Sequence, residues 1–275
     1  MSLKTKFAFA AQTDTGRVRD HNEDAIAFNQ DTAMFVLADG MGGYNAGEVA
    51  SGIAVKTVYD LTTEACNREK RYDRHADSGL MRQTTVLRDA ISRANKIIHQ
   101  TAHSQESCHG MGTTIVAGMF CDNRLSVAHV GDSRLYRVRN KKLERITLDH
   151  SLLQELIDRG FYSRQEAERS TNKNYVTRAL GVDVTVDVEI QEIQVEPLDI
   201  FLLCSDGLSD MVDDEEIHLT ISTFSASLQT VAEQLVKLGN DHGGKDNISV
   251  VLVQVLEPFP AKIGLLSMLK KLFRR

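Results

Sequence analysis

The sequence predicts an α+β protein in which antiparallel strands are layered against long helices. Apolar runs of strand length come as neighbours joined by Asp122-Asn123 and by Asn140, residues that suit tight hairpin turns. Two much longer stretches, Ala46–Thr63 and about Gly79–Ser104, repeat apolar residues at helical spacing. Hairpins joined by long helices favour antiparallel layers over a doubly wound parallel sheet.

In chain order, strands are expected at Phe7–Ala11, Ala25–Asn29 and Ala33–Ala38, where apolar residues alternate or run together. The two helical stretches follow, the second with Val86, Ala90, Ile91, Ala94, Ile97 and Ile98 as its apolar residues. Charged residues 67–78 between them read as a solvated loop. Thr113–Cys121, Leu125–Val130, Leu135–Val138 and Leu143–Ile146 form a block of strands. Residues 151–181 break this rhythm: short helical pieces, Leu152–Arg159 and Arg164–Arg169, flank Gly160 in a mostly polar stretch expected to pack on the domain as an insertion. Strands resume at Val184–Ile193 and Ile200–Cys204, helices follow at about Asp214–Thr223 and Ser227–Asn240, and Ile248–Leu256 is a last strand.

A chain of 275 residues with 42% hydrophobic and 25% charged residues can bury a sizeable core, as one large domain or two small ones. Cys66, Cys108, Cys121 and Cys204 show no C-x-x-C spacing and are expected as reduced thiols. Residues 1–14 lack an apolar stretch long enough for a secretory signal, and no run approaches the ~20 apolar residues that span a bilayer. A cytoplasmic protein is the expectation. Lys262, Lys270, Lys271, Arg274 and Arg275 concentrate positive charge in residues 262–275; without them 27 basic residues face 38 acidic ones. Such an acidic body argues against nucleic-acid binding, which needs a basic footprint.

Four acidic motifs stand where apolar runs meet turns: Asn22-Glu23-Asp24, Asp39-Gly40-Met41-Gly42-Gly43, Asp206-Gly207 and Asp246-Asn247. A carboxylate at the tip of a buried strand loses hydration and needs a partner. Several tips converging would give an all-oxygen site suited to Mg²⁺ or Mn²⁺. Asp39–Gly43 could by itself be a glycine-rich turn before a helix near Asn45, but that does not explain why a second apolar run ends in Asp206-Gly207. Arg19, just before Glu23 and Asp24, offers a guanidinium fork for phosphate oxygens or, more plainly, a surface ion pair. Gly131-Asp132-Ser133-Arg134 could be only a tight turn, and Gly243-Gly244 only a helix stop.

In this order and spacing the set resembles the metal-dependent serine/threonine protein phosphatases of type 2C, in their bacterial form. The matching stretches are 13–25, 38–43, 110–114, 130–136, 149–152, 177–181, 204–208 and 245–248, spread over residues 7–256. The resemblance implies a four-layer sandwich, two antiparallel sheets face to face with helices on both outer sides, and a metal site at one end. It implies that Asp39 bridges two ions of Mn²⁺ or Mg²⁺, that the Gly40 carbonyl completes the first and that Asp206 and Asp246 bind the second. Glu23 and Asp24 would act largely through metal-bound water, and Asp132 with Asp206 would match a third, weaker site. Arg19 would grip the phosphate, and 151–181 would be a flap. The implied activity is hydrolysis of phosphoserine and phosphothreonine in proteins by a metal-bridging water or hydroxide, opposing a serine/threonine kinase, in a monomer. One departure matters: Met41 stands where many eukaryotic members carry a histidine proposed as general acid. His21 and His150 read as structural hydrogen-bonding residues.

The rival reading is a pseudophosphatase that binds phosphoproteins without hydrolysing them; its mark would be a lost metal carboxylate, and none is missing. A purely structural calcium domain lacks the 12-residue calcium loop. The phosphatase domain is expected over 1–257 and a tail over 258–275. In that tail Leu265, Leu266, Met268, Leu269, Leu272 and Phe273 share one helical face. It suits either docking on the body or a reversible contact with a membrane surface or an acidic partner, which vesicle co-sedimentation with and without the tail would separate.

Overall fold

The computed structural model describes residues 3–43, 46–68, 79–163 and 175–260. Among the described residues, eleven strands fall into two antiparallel sheets. The first contains β2 (Asp24–Asn29), β3 (Met34–Met41), β5 (Ile115–Cys121), β6 (Arg124–Val130) and β9 (Glu189–Gln194) in that spatial order, with the short β4 (Gly112–Thr113) paired to the end of β3. The second runs β1 (Phe7–Asp14), β11 (Ile248–Val255), β10 (Ile200–Cys204), β7 (Arg134–Arg139) and β8 (Lys142–Arg145). Helices α1 (Ala46–Arg68) and α2 (Arg82–Ser104) cover the first sheet. Helices α5 (Asp214–Phe224) and α6 (Leu228–Asp241) cover the second; α3 (Leu152–Asp158) and α4 (Asp206–Ser209) are short.

The four layers follow from the two-residue period of buried strands. On β3, Met34, Val36 and Ala38 face α1 and α2, while Phe35 and Leu37 face the other sheet. On β11, Val251, Val253 and Val255 meet that inner core, and Ile248, Val250 and Leu252 face α5 and α6. Both faces are dry, which is why these strands read as near-continuous apolar runs. The helices obey their own period: Leu87, Ala90, Ile91, Ala94 and Ile98 are the buried stripe of α2. Side-chain caps set three helix starts among the described residues, Ser151 accepting from the Gln154 amide at 3.3 Å, Asp213 from the Glu216 amide at 2.8 Å and Ser227 from the Thr230 amide at 3.3 Å.

Both hairpin turns are as expected, with Asp122, Asn123, Asn140 and Lys141 all at positive φ, as type I′ geometry requires. Three expectations need correction. The strand anticipated over Val184–Ile193 is realised only from Glu189, because its partner β6 ends at Val130 and turns away at Gly131. The stretch 182–188 instead crosses α2, where Asn95 donates to the carbonyls of Asp183 and Val184. Next, the end of the 151–181 segment belongs to the core. Leu180 is fully buried and exchanges both backbone bonds with Thr113, at 2.8 and 3.1 Å. The helical piece expected at Arg164–Arg169 lies outside the described residues. Finally, Phe259 is 5% exposed and packs on Phe7 and Phe120, so the body extends past the boundary expected at 257. Residues 261–275, most of the tail, lie outside the described residues.

Candidate metal centre

The acids collect at one end of the sandwich because the strands that carry them stop there. Antiparallel pairing of β2 with β3 sets Asp24 directly opposite Asp39. In the other sheet β10 ends at Cys204, α4 begins at Asp206, and Asp246 precedes β11. The Ser205 hydroxyl crosses between the sheets and donates to Asp24 Oδ2 at 2.8 Å, while accepting from the Ser249 amide at 3.0 Å. Asp39 is held through its backbone: its carbonyl accepts from the Thr114 amide and the Thr113 hydroxyl, both at 2.8 Å, and its amide donates to Thr114 Oγ1 at 3.2 Å.

Electrostatics separate these groups from an ordinary acidic surface. Burial pushes Asp39 and Asp206 well above the usual carboxylate range, with added repulsion from Asp24, Asp206 and Asp132 on the former and from Asp132, Asp210 and Asp246 on the latter. Asp24 is pushed up to about 7 by burial, and its Oδ1, buried, has no hydrogen-bond partner. Asp132, 7% exposed beside Gly131, is pushed up to about 6 by burial and the nearby Asp149. Buried carboxylates facing one another, one oxygen of them orphaned, make a donor set that hard divalent cations and the water they hold satisfy.

Glu23 and Gly40 are packed so tightly that only glycine fits around them. A β-carbon on Gly40 would stand 2.2 Å from the Gly47 carbonyl oxygen and 2.6 Å from that of Glu23; one on Gly47 would meet the Glu23 carboxylate at 2.7 Å. Burial raises the affinity of the Glu23 carboxylate for protons, and the Gly47 amide in the first turn of α1 partly opposes that rise. Arg19 stands at the rim, its side chain 53% exposed and its Nη2 2.5 Å from Asp246 Oδ2. All eight residues singled out in the sequence thus fall at this end of the fold or on its rim.

The sequence reading missed the residues that support the acids. Thr113, Thr114, Ser205 and Gly47 carry no motif-level signal beyond their neighbours, and Asp210, whose charge is felt at Asp132 and Asp206, is four residues from a recognised acid. Arg134 is structural: its Nε and Nη2 grip Asp149 at 3.2 and 2.9 Å. Cys204 is fully buried and its thiol is pushed up to about 12, which removes it as a nucleophile.

Away from the acids, His129, His150 and Glu189 bring one donor atom each within 4.8 Å of one another. His150 Nδ1 accepts the Gly131 amide at 3.1 Å, and its Nε2 meets Glu189 at 3.2 Å and the Arg178 guanidinium at 3.3 Å. The guanidinium already supplies the positive charge there, so this group ties the 150 and 178 segments to β6 and β9.

Fold and site together define a metal-dependent phosphatase sandwich, and residues 13–248 match the family described as Protein phosphatase 2C, to which the chain belongs. It is 39% identical over 249 residues to the Serine/threonine phosphatase stp of Listeria welshimeri, covering 88% of this chain and 94% of that one. The serine/threonine phosphatase PstP/Ppp of Mycobacterium tuberculosis superposes with a TM-score of 0.81 at 32% identity, covering 91% of this chain and 99% of that chain. A structure of the PstP catalytic domain in complex with 2 manganese ions matches with a TM-score of 0.78 at 34% identity, covering 91% of this chain and 99% of that one. Among the described residues no helix is long and apolar enough to cross a membrane.

Proposed function

We propose that the chain removes phosphate from phosphoserine and phosphothreonine in proteins, using Mn²⁺ or Mg²⁺ held by the acid cluster. The observation that carries this reading is the convergence of Asp24, Asp39, Asp132 and Asp206 into one cluster in which burial and mutual repulsion raise every proton affinity. A bound divalent pair supplies a strongly acidified water and charge to balance the phosphoryl oxygens. Asp39 would hold both ions, Gly40 through its carbonyl would complete the first, and Asp206 with Asp246 would hold the second. Asp132 with Asp206 would serve a third. Glu23, packed against Gly47, and Asp24, held by Ser205, would orient water rather than bind directly. Arg19, exposed at the rim, would meet the incoming phosphate with two parallel donors. Met41 has no proton to give.

A phosphoprotein-binding module without activity is disfavoured, since every carboxylate the chemistry needs is present and close packed. The same reading includes a cognate serine/threonine kinase, a monomeric cytoplasmic protein, and for 262–275 either docking on the body or a reversible contact with a membrane surface or an acidic partner. The decisive assay is release of phosphate from a phosphothreonine peptide with Mn²⁺, Mg²⁺ or Ca²⁺, with and without EDTA. Mn²⁺ and Mg²⁺ should support turnover and Ca²⁺ should be poor, because calcium prefers more ligands and acidifies water less. Full turnover in excess EDTA would sink the metal mechanism.

A further inference from the structure

Asn247 follows Asp246, yet none of the chemistry above uses its side chain. That side chain is buried, in a residue 5% exposed, and it reaches across the chain to three backbone groups. Its Nδ2 donates to the carbonyls of Thr15 and His21, both at 2.9 Å, and its Oδ1 accepts the Glu23 amide at 2.8 Å. Both amide protons and the carbonyl are therefore engaged, all on one segment more than two hundred residues away.

The two carbonyls are the ends of a loop. Residues 15 and 21 are brought onto one NH₂ group, and Arg19 lies on the stretch between them. The remaining contacts press the same loop against the 244–246 backbone. Gly16, at φ 84°, sits so close that a β-carbon would be 2.3 Å from the Asp246 carbonyl oxygen, and the Arg17 amide donates to the Gly244 carbonyl at 2.7 Å. Asn247 is itself anchored, its amide donating to Asp246 Oδ1 at 2.9 Å.

We infer that Asn247 is a positioning residue: its carboxamide closes the 15–21 loop and so sets the Arg19 guanidinium at the rim of the acid cluster. The Arg19 side chain is more than half exposed and is held at its tip by the Asp246 carboxylate, so the backbone that carries it decides where the guanidinium can reach. A flexible side chain delivers a phosphate clamp only if its backbone is held, and misplacement by about 1 Å can cost on the order of a hundredfold in rate. The inference rests on the reading of Arg19 as the phosphate-gripping residue.

Two substitutions separate the functions of the carboxamide. Asn247→Asp keeps an oxygen for the Glu23 amide but turns the loop-closing donors into an acceptor that faces two carbonyls. Asn247→Ala removes all three bonds. With saturating Mn²⁺ and a phosphothreonine peptide, each should raise KM about tenfold with a smaller change in kcat, as Arg19→Ala should. In the double variants with Arg19→Ala, kcat/KM should match Arg19→Ala alone to within about twofold, because a residue acting through Arg19 has nothing left to position. Thermal melting of each variant, measured alongside, identifies any that fails to fold, and the cycle is then read on the other substitution. Additive losses in the double variant, or a collapse of kcat with KM unchanged, would overturn the positioning role while leaving the Arg19 reading intact. A wild-type KM in Arg19→Ala would overturn both.

Discussion

At one end of the sandwich β3, β10 and β11 lead to Asp39, Asp206 and Asp246; at the other the strands run into a cluster of phenylalanines. Phe7 stacks on Phe120 at 4.5 Å, Phe259 closes over both at 4.9 and 5.8 Å, and Phe201 meets the edge of Phe120 at 5.5 Å. The aromatic end gains from burial and is complete without a ligand. The acid end buries like charges and leaves Asp24 Oδ1 unpartnered, a cost that protons, or cations and the water they hold, relieve. The chain can hold the second end together because the first, with the two helical layers, supplies the stability. Stability and reactivity are therefore separated along the strands by the length of a strand.

Removing an acid should break that division most visibly. Asp206→Asn is expected to lower turnover of a phosphopeptide by at least about a hundredfold while the metal-free protein melts at the same temperature or higher, because the substitution deletes a destabilising charge. A lower melting temperature in the metal-free variant would show that the acid end also holds the fold. The converse change is Phe259→Ala. It should cost about 3 kcal/mol of stability, read from denaturant midpoints, with kcat near wild type at a temperature where the variant stays folded. Loss of kcat ahead of unfolding would couple the two ends.

A smaller effect sharpens the comparison through pH. Asp24 and Asp132 hold protons up to about 7 and about 6 in the folded chain, against an ordinary carboxylate value of 3.8. The folded state thus binds protons that the unfolded state has released, so stability falls as pH rises. This contribution is complete below the unfolded value and lost as pH passes through about 6 to 7. Metal-free protein should be more stable at pH 5.5 than at pH 8 by on the order of 2 kcal/mol, and saturating Mn²⁺ should reduce or reverse the trend by competing with the protons. A flat profile without metal would show that these acids are hydrated in solution.

Much of the fold was legible because local patterns dictate it. Alternating or continuous apolar residues located the strands within a few positions, and Asp122-Asn123 marked its hairpin because those residues tolerate positive φ. The Val184–Ile193 error has the same root: Val184, Val186, Val188 and Ile190 alternate as a strand does, but alternation cannot reveal that β6 has already ended at Val130. At the site, the acids were visible as charges terminating apolar runs. Their supports were not, since Ser205 and Thr114 look like any hydroxyl residues until a partner far along the chain is brought to them.

By itself the sequence determined the strand and helix periods, the antiparallel character of the hairpins, and which strands end in carboxylates, all facts of covalent neighbourhood. Only the tertiary structure decided that these ends face one another. Pairing of β2 with β3 set Asp24 against Asp39, packing of the two sheets brought Ser205 to Asp24, and the approach of 244–247 to 15–23 gave Asn247 its three backbone partners. The contacts of Ser205 and Asn247 join residues 181 to 232 positions apart, and no local propensity encodes them. They exist because burying both faces of two sheets leaves one way to stack them, and the strand ends must then share a single rim.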